Sequence, residues 1–266
     1  MMTFPPIPDP REQVLPVAEN LFKALLLSAL LLASFYAADR IAATLDTTAA
    51  LPRVAALALK WSVVVPLGVF DVVVLTGMGV LAHEAVHRVL FRSAFWNEFW
   101  GGLLSALTLI PFYANRQFHL THHSYAHQPG LDPENTMHHR PFMQAATLGG
   151  LIGLQEQYRI LFASIRRMRD RRYALRALRD CACLLVAGAV YFRLVPALGI
   201  SLAVSVLPMI LLFPLVFAFR ALSDHYGIPP LERGSRTREE VLDADTHRAG
   251  RPGANGASVK SPAGWC

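Results

Sequence analysis

The chain has 266 residues, 53% of them hydrophobic and only 17% charged, which is typical of an integral membrane protein. The formal net charge of +6 does not indicate nucleic-acid binding, because the arginines are concentrated in one block, with nine of 22 between residues 140 and 179, as in a cytoplasmic loop beside a membrane. Three cysteines without CxxC spacing give neither a disulfide framework nor a thiolate metal site. The polar, proline-rich N-terminus does not resemble a cleaved signal peptide.

Four apolar segments are long enough to form membrane-spanning helices. They cover residues 21–38, 55–87, 181–198 and 200–219. The second would be about 50 Å long as a straight helix, whereas the hydrocarbon core is about 30 Å thick, so we expect its last turns to stand in water. The last two segments are separated by Gly199 and predict a tight hairpin.

The composition divides the chain into three parts. Residues 1–19 form a polar lead-in, and residues 20–228 contain all the apolar segments. Residues 229–266 are polar, with glycine and proline but no periodicity, and we predict that this tail is disordered.

Six of the ten histidines lie close together, in two motifs and just after them. The motif HEAVH contains His83 and His87, and HLTHH contains His119, His122 and His123. Residues three or four apart share a helix face, so each motif directs its imidazoles to one point. Clustered imidazoles bind iron, zinc, copper or nickel. The sequence therefore predicts a metal centre at the edge of a membrane.

The segment between the two motifs, residues 95–113, is almost long enough to cross the membrane. A crossing would place the motifs on opposite faces, where they could not share a metal. We therefore predict an interfacial or re-entrant helix that returns to the side from which it came. The arginine-rich segment 166–172 then places the motifs and both termini in the cytoplasm.

Three stretches resemble the membrane fatty acid desaturase and hydroxylase superfamily: HEAVHR at 83–88, HLTHHSYAHQPGLDPE at 119–134, and ALSDHYG at 221–227. The resemblance implies an all-α integral membrane protein with four transmembrane helices, a cytosolic histidine-box cap, and an interfacial helix between the first two boxes. It implies two iron ions and an oxygen-dependent fatty acid desaturase. The metal ligands that it implies are His83, His87, His119, His122, His123 and His225.

The resemblance also implies a lipid or fatty acyl substrate and dioxygen as reactants. The chain has no room for a fused redox domain, so we expect a separate electron donor of the ferredoxin or cytochrome type. Carboxylates commonly orient histidine ligands from behind, and the nearest candidates are Glu84, Asp132, Glu134 and Asp224. A related lipid or carotenoid hydroxylase or ketolase stays open as an alternative.

One feature departs from the superfamily pattern. A third box, HxxHH, is expected some tens of residues after the isolated histidine, but only His247 follows His225. A truncation or a reading-frame change near residue 248 would produce such a tail. The chain could then be impaired, or be an inactive remnant that binds metal without turnover. We predict that His138, His139 and His247 are exposed, and His127 is a further candidate ligand.

Overall fold

The computed structural model describes residues 17–48, 52–138 and 140–225. These ranges are helical and contain no strand, which confirms the all-α prediction. The helices are α1 (Val17–Thr47), α2 (Arg53–Val86), α3 (Ala94–Leu107), α4 (Phe112–Tyr125), α5 (Asn135–His138), α6 (Phe142–Arg166), α7 (Arg171–Ala189), α8 (Val195–Ala197) and α9 (Val206–His225). A π-helical segment, Val190–Leu194, joins α7 to α8. The predicted lead-in lies largely, and the predicted tail wholly, outside the described residues.

Within the described ranges, three helices are long and apolar enough to cross a membrane. They are α1, α2 and the continuous helix Arg171–Ala197. The outward faces carry large apolar side chains such as Leu25, Val73 and Leu185, as lipid contact requires. The apolar stretch of α9, Val206–Arg220, is shorter. The protein thus has helices suited to a membrane, and the fourth crossing stays a prediction.

The hairpin before α9 differs from the prediction, because α9 begins at Val206 rather than at Ile200. Gly199 adopts φ 75°, a left-handed conformation that ends the preceding helix. The next turn is held by Ser201, whose backbone N–H donates to Asp39 Oδ1 at 2.9 Å. Pro208 then lies in the first turn of α9, where its missing N–H costs nothing.

The segment between the histidine motifs forms a helical hairpin. At 14 residues, α3 is about 21 Å long and too short to cross the hydrocarbon. The chain reverses at Leu109, which has φ 59°, and Pro111 precedes α4. Ser105 Oγ donates to the carbonyl of Ile110 at 2.8 Å and closes the turn. Because the chain reverses here, HLTHH comes back toward the end of α2 that carries HEAVH, as a shared site requires. The segment contains two short helices, α3 and α4, where we predicted one.

The C-terminal half of α2 is the centre of the main hydrophobic core. It packs against α3 so closely that there is room only for glycine at position 101. A Cβ atom there would lie 2.7 Å from Ala85 Cβ and 2.5 Å from Phe112 Cε2. The close approach joins α2, α3 and α4 directly beneath the two histidine motifs.

Candidate metal centre

The first motif lies where α2 ends. His83 occupies the last turn of α2, and His87 follows its last residue with its N–H bonded to the carbonyl of His83 at 3.2 Å. Arg88 then adopts φ 62° and turns the chain away. The four-residue spacing places the His83 and His87 rings on one face, with their centroids 4.7 Å apart.

The second motif lies in the last turns of α4 and meets the first. His119 Nε2 is 2.9 Å from His83 Nε2 and 3.0 Å from His87 Nε2. His123 Nε2 is 2.7 Å from the same atom of His119. The ligand atoms of these residues, here the four-histidine cluster, all lie within 4.8 Å of one another.

The donor set of the cluster fits a metal ion. An imidazole nitrogen offers either one proton or one lone pair, so His119 Nε2 can form only one hydrogen bond. Its three short nitrogen contacts therefore cannot all be hydrogen bonds. A shared cation removes this conflict, because each nitrogen can then direct its lone pair at the ion. Nitrogen ligands about 2.0–2.1 Å from one ion lie about 3–3.5 Å apart, close to the observed separations.

The electrostatics around His87 favour its neutral ring. Burial, together with the neighbouring rings of His119 and His83, lowers the pKa of His87 to about 3. Neutral imidazole is the form that binds metal, so His87 has a lone pair available at physiological pH.

Asp132 holds the ring of His122. His122 Nδ1 lies 3.0 Å from Asp132 Oδ1, and because a carboxylate only accepts, the ring nitrogen carries the proton. Burial alone would raise the pKa of Asp132, but hydrogen bonds from His122 and from the backbone N–H groups of His127 and Glu134 hold it below its ordinary value. His122 Nε2 therefore keeps its lone pair for a ligand.

Of the other carboxylates predicted to orient the rings, Glu134 is the better placed. Its Oε1 lies 3.4 Å from His119 Nδ1, on the side of the ring away from the cluster. Glu84 Oε1 lies 3.8 Å from His83 Nδ1, too far for a hydrogen bond. The side chain of Asp224 is outside the described part of the structure.

The six predicted ligands do not all converge. The four-histidine cluster contains four of them, and His122 lies to one side, with its ring centroid 6.2 Å from that of His119. The buried ring of His127 is 6.1 Å from the ring of His122. His225 is the last residue of α9, and its side chain falls outside the described residues, as do that of His138 and the whole of His139 and His247.

One buried residue that contacts the start of α4 could not be identified from the sequence. Asp180 of α7 accepts hydrogen bonds from the backbone N–H groups of Tyr113 and Ala114, at the start of the helix that carries HLTHH. The only signal in the sequence is an acidic residue at the edge of an apolar segment. The position of Asp180 in the sequence does not reveal which helix it contacts.

A histidine cluster that can hold a metal, at the end of a helix suited to a membrane, defines a histidine-box membrane protein. The comparisons agree with this class. A model of the fatty acid desaturase family matches residues 58–255, which include both motifs and His225, and the chain belongs to that family. No curated protein and no solved structure matched significantly.

Proposed function

We propose that the protein is an oxygen-dependent fatty acid desaturase that acts on an acyl-lipid or acyl-CoA substrate. The family implies an oxidoreductase associated with the membrane, a lipid substrate and oxygen. The observation that carries the proposal is the four-histidine cluster, since its closely spaced ring nitrogens could hold a metal ion.

The proposed ligands of two iron ions are His83, His87, His119, His122, His123 and His225. When bound, imidazole-ligated iron would activate dioxygen for removal of hydrogen from an unactivated CH₂ group. Two carboxylates of the chain contact the rings of two of these histidines. Asp132 holds the proton on His122 Nδ1, and Glu134 stands behind His119 Nδ1. Both contacts would orient a ring and leave its Nε2 available to bind the metal.

The orientation and the partners are also proposals. The arginines of the turn between α6 and α7 are exposed, as the positive-inside rule expects for a cytoplasmic segment. With α9 as a fourth crossing, the boxes and both termini are cytoplasmic. Residues 20–228 would form the membrane domain, with a lead-in at 1–19 and a tail at 229–266. A separate ferredoxin- or cytochrome-type protein would deliver electrons at the arginine-rich turn.

Metal content tests the proposal most directly. We expect about two irons per chain in the purified protein, and a large loss of iron in the His122→Ala variant. Gln117→Ala is the matched control, because Gln117 is an exposed residue of the same helix. The control should bind iron like the parent chain. Zero or one iron in the parent would overturn the di-iron assignment.

Product analysis separates the related reactions. The protein is expressed in a host supplied with fatty acids and carotenoids, and new double bonds in fatty acids with unchanged carotenoids are the expected result. Hydroxylated or ketolated products would assign it to the alternative enzymes.

The second candidate function is metal binding without turnover. It is favoured by the absence of an HxxHH motif after His225 in the sequence. Bound iron without any product from either lipid class would favour it over the desaturase.

A further inference from the structure

The helix that carries the second motif is not capped by its own sequence. The first N–H groups of any helix lack partners within the helix. At the start of α4 the N-cap position is Pro111, which provides no side-chain hydrogen bond. The partners come from another part of the chain.

Asp180 of α7 supplies them. Its Oδ1 accepts the N–H of Tyr113 at 2.9 Å, and its Oδ2 accepts the N–H of Ala114 at 3.1 Å. Asp180 is only 2% exposed, so water does not compete for these bonds. A carboxylate at a helix N-terminus also interacts favourably with the helix dipole.

Neighbouring side chains reinforce the same turn. Arg179 Nη1 donates to Tyr113 Oη at 2.7 Å and to Glu98 Oε2 at 2.8 Å. Tyr158 of α6 donates to the carbonyl of Leu109 at 2.7 Å, just before α4. The first turn of α4 and the residues just before it are therefore held by α3, α6 and α7, and Asp180 is the most buried of the side chains that hold them.

We propose that Asp180 is a positioning residue of the metal centre, which fixes α4 so that its histidines meet those of α2. The inference rests on the proposed metal-binding function. His83 and His87 belong to α2, so their contacts with His119 depend on where α4 lies. The histidines follow the clamped turn by about two helical turns, and a rigid helix passes a displacement at its start on to its end. Asp132 holds the other end of this unit through His122.

The test is a Co²⁺ titration of the full-length protein in detergent, followed by the visible absorption of the bound ion. We expect Asp180→Ala to weaken Co²⁺ affinity by about tenfold and to alter the spectrum. This is the lower end of the loss caused by removing a direct contact of a metal ligand, because Asp180 acts through the position of α4 and touches no ligand itself. The Co²⁺ affinity of Asp180→Asn should fall between those of the parent chain and of Asp180→Ala, because the amide oxygen of asparagine still accepts one N–H group.

Asp170→Ala is the matched control. Asp170 caps α7 itself by accepting the N–H of Arg172 at 2.9 Å, and its side chain is exposed, ten residues before Asp180. This variant should bind Co²⁺ with parental affinity and spectrum. If Asp180→Ala does not fold, Asp180→Asn decides the matter. Parental affinity and spectrum in the Asp180 variants would overturn the proposal.

Hydrogen exchange on the metal-free protein provides an independent measurement. In Asp180→Asn we expect faster exchange along α4 and unchanged exchange in the second half of α2. Unchanged exchange in α4 would overturn the proposal that Asp180 holds this helix. A parent chain that binds no Co²⁺ would refute the metal centre, while hydrogen exchange would still test separately whether Asp180 holds α4.

Discussion

The two histidine motifs are positioned in different ways. The first ends a long apolar helix, and packing of that helix in the core sets its place, since Ala85 and Val86 within the motif are buried. Within the described part of the chain, the carboxylate beside the His83 ring is that of Glu84, with its Oε1 3.8 Å from Nδ1. The second lies on a helix of 14 residues held by buried carboxylates at both ends, Asp180 and Asp132. Hydrophobic length thus places one half of the centre, and polar contacts place the other.

The largest expected effect follows from removing the residue at which the two motifs meet. His119 Nε2 contacts three other histidines, so His119→Ala should abolish metal binding and activity. Iron content of the purified variant measures this, with Gln117→Ala as the control. Retention of the parental iron content would show that the motifs do not share one centre.

The next effect concerns the second motif alone. Asp132→Ala leaves His122 Nδ1 and the N–H groups of His127 and Glu134 without their acceptor. We expect a loss of about 1–3 kcal/mol in unfolding free energy and about 10- to 100-fold in metal affinity. Thermal unfolding in detergent and metal titration measure the two losses. Parental values in both would show that polar contacts do not place this motif.

The first motif should make the stability of the folded protein depend on pH. Folding lowers the pKa of His87 from its usual range near 6.5 to about 3. The unfolded chain therefore binds a proton that the folded chain does not, so stability present above about pH 6.5 declines as the pH falls toward 3. The slope from this one group is at most about 1.4 kcal/mol per pH unit. Unfolding of metal-free His87→Gln should be less sensitive to pH over that window; an unchanged slope would contradict this origin.

The smallest effect is expected at the carboxylate of the first motif. Because Glu84 is too distant to bond His83, Glu84→Gln should change metal affinity by less than about twofold. Glu134→Gln, which alters the 3.4 Å contact with His119, should have the larger effect. Metal titration of the two variants measures which one loses more affinity. A larger loss in the Glu84 variant would mean that both motifs depend on carboxylates, and the contrast between them would disappear.

Much of the fold could be predicted because its determinants are local. Apolar length predicted α1, α2 and the helix through α7, and the need for one shared site predicted the chain reversal before HLTHH. The start of α9 was predicted six residues too early, since an apolar segment does not reveal where a turn is held. The bond from Ser201 to Asp39, far apart in the chain, holds that turn.

By itself, the sequence determined the helical class, the membrane character and the histidine spacing, because these depend on residues within a few turns of one another. It also indicated Asp132 and Glu134, which lie close after the second motif. Only the tertiary structure decided that His83, His87, His119 and His123 converge while His122 stands aside with Asp132. It alone joined Asp180 to the start of α4. Contacts between distant segments depend on how helices pack, and packing is a property of the whole chain.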